Sequence, residues 1–172
     1  ANANTLDAKT TGVVTATIST GASATLAGLN GTGNAYTVTV TDTSATASEL
    51  TSIDAATTVA VQAGNVTSIS GTATEVIAAY AADTAGTIVL DGDEAVSVSG
   101  SVSVADANTI SSKTSGVVTA SIASGTYTAL NALNETANAY ALSLSESITV
   151  DQANTLAAKT TGVVTATLST GD

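Results

Sequence analysis

Apolar and polar positions alternate along this chain in short runs that recur. In Val13–Ser19 (VVTATIS), Val14, Ala16 and Ile18 fall on one face and Thr15, Thr17 and Ser19 on the other. In YTVTVT, Tyr36, Val38 and Val40 oppose Thr37, Thr39 and Thr41, and in YALSLS, Tyr140, Leu142 and Leu144 oppose Ala141, Ser143 and Ser145. A period of two with a Thr/Ser face predicts half-buried β-strands. Such runs begin at Val13, Tyr36, Val59, Thr87, Val117, Tyr140 and Val163, at spacings of 23, 23, 28, 30, 23 and 23 residues.

A second pattern separates the strands. Thr46 and Glu49 precede Leu50 and Ile53, Thr72 and Glu75 precede Val76, Ile77 and Tyr80, and Thr149 and Gln152 precede Ala153 and Leu156. Each pair is a capping box followed by one short apolar stripe, which predicts a short helix. Ser103 to Ile110 and Thr126 to Leu133 keep the spacing with weaker caps, and Ala3 to Lys9 reads as a further helix. Glycine or Asn closes most of these segments. Each coil of about 23 residues therefore reads as strand, turn, short helix, turn. A helix between strands of one sheet implies parallel pairing and a right-handed crossover. Strands with one apolar face imply helices on one side only. The expected fold is α/β, a right-handed solenoid of 23–30-residue strand–helix coils. Its alternative is an all-β parallel β-solenoid, in which every coil has a second strand, Ser147–Val150 being one candidate. The two long coils carry insertions, VTSIS at Val66–Ser70 and EAVSVSGSVSV at Glu94–Val104, the latter readable as a hairpin or a second strand around Gly100.

The repetition has a longer period as well. Ala3–Thr20 (ANTLDAKTTGVVTATIST) returns at Ala153–Thr170 (ANTLAAKTTGVVTATLST) with two differences in 18 positions and an offset of 150. A third copy, ANTISSKTSGVVTASIAS, starts at Ala107. Residues 1–172 thus read as one repeat array, an internal segment of a longer one, with 1–150 a superunit and 151–172 the start of the next.

Composition supports a thin, repeated core. The apolar share is 44%, yet Phe, Trp, Met, Cys and Pro are absent and Tyr occurs four times. A core one side chain deep, repeated along an axis, can be built from Ala, Val and Ile. No apolar run reaches the roughly 18 residues of a membrane helix. The net charge of -11 argues against nucleic acid and anionic lipid as partners.

Catalysis has few resources here. There is no His or Cys to act as base, nucleophile or soft metal ligand. Lys9, Lys113 and Lys159 recur at one motif position, read as the last turn of a short helix, where a cation meets the helix dipole. Without Arg and with scattered acids, a lyase or hydrolase on such a scaffold is disfavoured, and the chain reads as no enzyme. No cofactor is called for. Asp91, Asp93 and Glu94 form the densest carboxylate cluster and are the one candidate Ca²⁺ site, but EF-hand spacing is missing and a solvated turn is the favoured reading. Asp42, Asp106 and Asp151 are read as helix-capping groups. Stacked strands would rank Thr15, Thr17, Thr37, Thr39, Thr41, Thr119, Thr165 and Thr167 on one surface, with breaks at Ala60/Gln62 and Ile88/Leu90. Regular Thr ranks of this kind are used by ice-binding solenoids, and the hydroxyls also suit glycan contact.

With its repeats laid out, the sequence resembles the Ala/Thr/Ser/Val-rich tandem repeats of giant bacterial surface and matrix proteins, cyanobacterial and RTX-type proteins among them. ANTLxAKTTGVVTATxST, at Ala3 and Ala153, and NAYTVTVTD, at Asn34–Asp42, carry the resemblance. It implies secretion, an extracellular or cell-surface location and a structural role as filament, matrix fibre or adhesin stalk. The partner would be the next copy end to end, or the continuing chain. The calcium-binding GGxGxD nonapeptide of RTX proteins is absent. An adhesin module that binds glycan or ice through the Thr face is the alternative.

Overall fold

The computed structural model describes residues 2–169. Ala1 and residues 170–172, the outermost parts of the expected array, lie outside the described residues. The chain opens with α1 (Asn2–Asp7), β1 (Thr15–Thr17) and α2 (Ser23–Leu26). Three coils with two strands each follow: β2 (Ala35–Thr37), β3 (Ser44–Thr46) and α3 (Ala47–Ala55); β4 (Val61–Gln62), β5 (Ser68–Thr72) and α4 (Ala73–Ala85); β6 (Ile88–Val89), β7 (Ala95–Val102) and α5 (Val104–Ser111). The remainder is β8 (Val118–Ile122), α6 (Tyr127–Leu130), β9 (Ala139–Ile148), α7 (Val150–Ala157) and β10 (Val164–Leu168).

All the strand pairs are parallel. Six strands form one sheet in the order β10-β9-β8-β7-β5-β3, while β1 pairs with β2 and β4 with β6. The chain is therefore mixed α/β with a parallel sheet and, among the described residues, no closed barrel, and the helices set aside the all-β alternative. A strand lies at each of the seven expected runs, but these strands do not form one common sheet. The inserted segments instead occupy its middle: β5 contains the end of Val66–Ser70, and β7 continues through Gly100 without a hairpin. Gly100 adopts φ 78°, and the β7–β8 register shifts between Ser97 and Ser101. A left-handed glycine there makes a bulge, and the strand resumes in the same direction.

Alternation delivers one contiguous core. Tyr36, Val38 and Val40 are buried, as are Val96 and Val98, Val118, Ala120 and Ile122, and Tyr140 and Leu142. Helices add Leu50 and Ile53 from α3, Val76, Ala79 and Tyr80 from α4, and Ala107 and Ile110 from α5. All three capping boxes form, at Thr46/Glu49, Thr72/Glu75 and Thr149/Gln152. Ser103 and Thr126 cap α5 and α6 by accepting from the Asp106 and Ala129 amides. Backbone hydrogen bonds from Thr46, with help from the Ser23 and Thr46 hydroxyls, hold the Glu49 carboxyl below the usual range; those from Thr72 do the same for Glu75. Gly86, in the left-handed conformation at φ 77°, ends α4.

The lysines need a correction. None lies in the last turn of a helix: α1, α5 and α7 end at Asp7, Ser111 and Ala157, two residues before Lys9, Lys113 and Lys159. Their backbone amides close the turn beyond the helix, on Leu6, Ile110 and Leu156 carbonyls. The Lys159 ammonium donates to the Leu133 carbonyl (2.9 Å) and that of Lys113 to Thr84 Oγ1 (3.2 Å), so both reach toward the neighbouring coil.

Candidate functional site

The chemistry of this molecule is concentrated between coils. Asn4 Nδ2 donates to the Gly28 carbonyl (2.8 Å), and its Oδ1 accepts from the Asn30 amide (2.9 Å). Asn108, at an offset of 104, repeats both bonds with the Ala132 carbonyl (2.9 Å) and the Asn134 amide (3.0 Å). Asn34 Oδ1 accepts from the Val14 amide (2.9 Å), and Asn138 Oδ1 from the Val118 amide (2.7 Å). Both asparagines are buried, and each bond satisfies a backbone amide at the start of a strand, that of Val14 just before β1 and that of Val118 in β8.

Threonine hydroxyls make the third repeated contact. Thr57 Oγ1 accepts from the Tyr36 amide (2.9 Å) and donates to the Tyr36 carbonyl (2.8 Å). Thr160 Oγ1 does the same for Tyr140, both at 2.8 Å. Thr114 Oγ1 donates to the Glu94 carbonyl (2.7 Å). The next coil thus caps the backbone where the preceding strand begins. Acidic side chains reach back along the chain in the same way. Asp42 Oδ2 accepts from the Ser23 amide (2.8 Å), capping α2, and Glu146 Oε1 accepts from the Tyr127 amide (2.8 Å), at the start of α6. Asp42 therefore caps a helix, as expected, but one belonging to the preceding coil. Asp106 and Asp151 sit in the first turns of α5 and α7.

Of the eight threonines singled out, all but Thr39 are exposed, so the face exists. Its ranks are largely broken. Thr17 and Thr37 are direct cross-strand partners, whereas Thr15 faces Ala35, Thr39 faces Gln62, and Thr119 lies between Ser97 and Ala139. Thr165 and Thr167 face Ser143 and Ser147. The second break also differs from expectation. Ile88 pairs with Val61 and is buried, while Val89 pairs with Gln62 and is 39% exposed. A one-residue change of phase after the long helix α4 puts Val89, not Ile88, on the outer face.

Asp91, Asp93 and Glu94 share a turn but face different surroundings. Glu94 is fully buried. Its Oε1 accepts from the amides of Asp91 (3.0 Å) and Gly92 (2.9 Å), and its Oε2 from the Tyr80 phenol (3.1 Å). Burial, followed by the Glu94 charge, pushes the Tyr80 pKa well up. Asp91 and Asp93 are exposed. Among the described residues no group of three or more His, Cys, Asp or Glu is placed to hold a metal ion. None of their helices is long and apolar enough to cross a membrane.

The tyrosines of the NAY motif differ in one respect. Tyr140 Oη donates to the Ala107 carbonyl (3.5 Å), whereas Tyr36 Oη is buried without a partner among the described residues. Burial raises the pKa of both, and for Tyr36 the Asp7 carboxylate adds to it. In comparison with known proteins, no family model matches the chain, and no curated protein or solved structure does either.

Proposed function

We propose that this chain is a structural repeat protein, a section of a right-handed α/β solenoid that builds an extracellular filament, matrix fibre or adhesin stalk and performs no catalysis. The observation that carries the reading is the reuse of inter-coil contacts, with Asn4 and Asn108, and Asn34 and Asn138, as equivalent clamps at an offset of 104, and Thr57 and Thr160 as a third pair at 103. A coil that meets its neighbour through the same contacts at each repeat lengthens by addition, and its stability is a sum of nearest-neighbour terms. Parallel strands joined through helices favour the right-handed crossover. The polar effort is spent on holding coils together, which is what a load-carrying rod requires. Extracellular placement follows from the likeness of the repeats to those of giant surface and matrix proteins. An ice- or glycan-binding module has less support, because Thr17 and Thr37 are the one direct pair among the singled-out threonines.

Immunogold labelling of the producing cells with antibody against this chain tests the reading. Label on fibres or stalks outside the cell is the expected result. Label confined to the cell interior contradicts it.

A further inference from the structure

The turn between α2 and β2 carries a reactive pair. Of the ten asparagines, Asn30 alone is followed by glycine. Its side chain is exposed and has no hydrogen-bond partner among the described residues, and the Gly31 amide has none either. The turn has a coil on each side. The Asn30 amide donates to Asn4 Oδ1 (2.9 Å) in the coil before, and the Asn34 carbonyl accepts from the Thr58 amide (2.8 Å) in the coil after. Five other asparagines, Asn4, Asn34, Asn65, Asn108 and Asn138, have their side chains held in hydrogen bonds.

Packing imposes the glycine. Gly31 adopts φ 114°, and a Cβ there would stand 2.6 Å from both Asp7 Oδ2 and Asn34 Nδ2. Asp7 Oδ1 accepts from Asn34 Nδ2 (2.7 Å) at this place. At an offset of 104, Ser111 replaces Asp7 and Glu135 replaces Gly31. The carboxylate–asparagine bond and the glycine occur together, and the glycine leaves Asn30 beside an unshielded amide.

We propose that Asn30 is a site of spontaneous modification, where its side chain closes onto the Gly31 amide and the residue becomes aspartate or isoaspartate, loosening the joint between two coils. The Gly31 nitrogen, its proton passed to hydroxide, attacks Asn30 Cγ. A new C–N bond forms, and the side-chain nitrogen leaves as ammonia after taking a proton back from water. One water then opens the five-membered imide. Cleavage of the new bond gives aspartate, and cleavage of the original peptide bond gives isoaspartate. Glycine favours the closure because no Cβ obstructs the approach. Asp91–Gly92 could form the same imide, but there the Gly92 amide donates to the buried Glu94 Oε1 (2.9 Å), which holds the nucleophile back. The consequence falls on the Asn4 clamp, which grips the Gly28 carbonyl and the Asn30 amide. Isoaspartate lengthens the backbone by one methylene directly after that grip. Either product adds a carboxylate next to the glycine on which the Asp7 carboxylate packs. The equivalent Asn108 clamp, with Asn134 and Glu135 in its turn, stays intact.

Peptide mass mapping of the folded 172-residue chain, aged at physiological temperature over a pH series, tests this, with enzymatic methylation of isoaspartate as a second readout. Conversion at Asn30 is expected to run about tenfold faster than at Asn134, which is equally exposed but followed by a residue with a Cβ. The rate rises with pH, as the supply of deprotonated amide does. Asn30→Gln, which would need a six-membered ring, loses the signal while keeping the turn. The aged chain melts at a lower temperature than the fresh one, and ageing leaves the Asn30→Gln chain unchanged. Equal rates at Asn30 and Asn134, or conversion only after the chain is unfolded in urea, overturn the site. Aged and fresh chains that melt alike, with Asn30 converted, overturn the loosening of the joint.

Discussion

Glu94→Ala is expected to destabilise the chain by about 4 kcal/mol, read from the denaturant midpoint at constant slope. The variant removes the acceptor of three donors at once, the Tyr80 phenol and the amides of Asp91 and Gly92. Tyr80 is buried in the core, so its hydroxyl does not recover a water partner there. Each unsatisfied buried donor costs about 1–3 kcal/mol, and the Asp91–Gly92 turn, closer to solvent, recovers part of its share. Glu94→Gln keeps an acceptor for the amides and is expected to cost about half as much. A loss below about 1 kcal/mol for the alanine variant would show that the turn is not held from within.

The second large effect separates three copies of one glycine. At Gly162 an added Cβ would collide with the Tyr140 carbonyl group, and at Gly116 with that of Glu94, with the Asp93 carbonyl oxygen at 2.6 Å. In both cases the obstacle is the backbone of the preceding coil, which cannot turn aside as a side chain can. Alanine at either position forces the coils apart and is expected to cost about 3 kcal/mol. Gly12 holds the same place in its motif, yet its nearest neighbour would be Thr10 Oγ1 at an ordinary 3.4 Å. Gly12→Ala is therefore expected to be neutral or to stabilise by about 0.5 kcal/mol, through the lower entropy of the unfolded chain. Thermal melts of the three variants decide the matter. Equal losses at all three positions would mean that the glycine serves its local turn and not the approach of the coils.

The features legible in the sequence were the local ones. Alternation at Val14–Ile18, Tyr36–Val40 and Tyr140–Leu144 needs only neighbouring residues, and a capping box spans four. The fold class and the helix starts followed from these. Register was not legible, because it depends on how each turn delivers the next strand. That is why the Thr ranks dissolved beyond Thr17 and Thr37, and why Val89 took the outer face at β6. Single polar residues that bridge coils, such as Asn4, Asn34 and Thr57, leave no periodic trace. Their signal lay in the repeat comparison, since Asn4, Asn108 and Asn154 hold one position and Asn34 and Asn138 another. Glu94 also carried a signal. It lies in phase with Val96 and Val98 and is buried with them, although beside Asp91 and Asp93 it reads as part of a solvated carboxylate cluster. The placement of Tyr80 above it comes from α4, which no local pattern around Asp91 reveals.

The central claim is that coils stack along an axis and that the stack continues through the repeat. Small-angle scattering from chains carrying residues 1–150 once, twice and three times in tandem tests it most directly. Parallel strands lie about 4.8 Å apart, so each added unit of six coils should lengthen the particle by about 29 Å at constant cross-section. Units that instead behave as separate beads, or particles whose cross-section grows with each unit, would contradict the account.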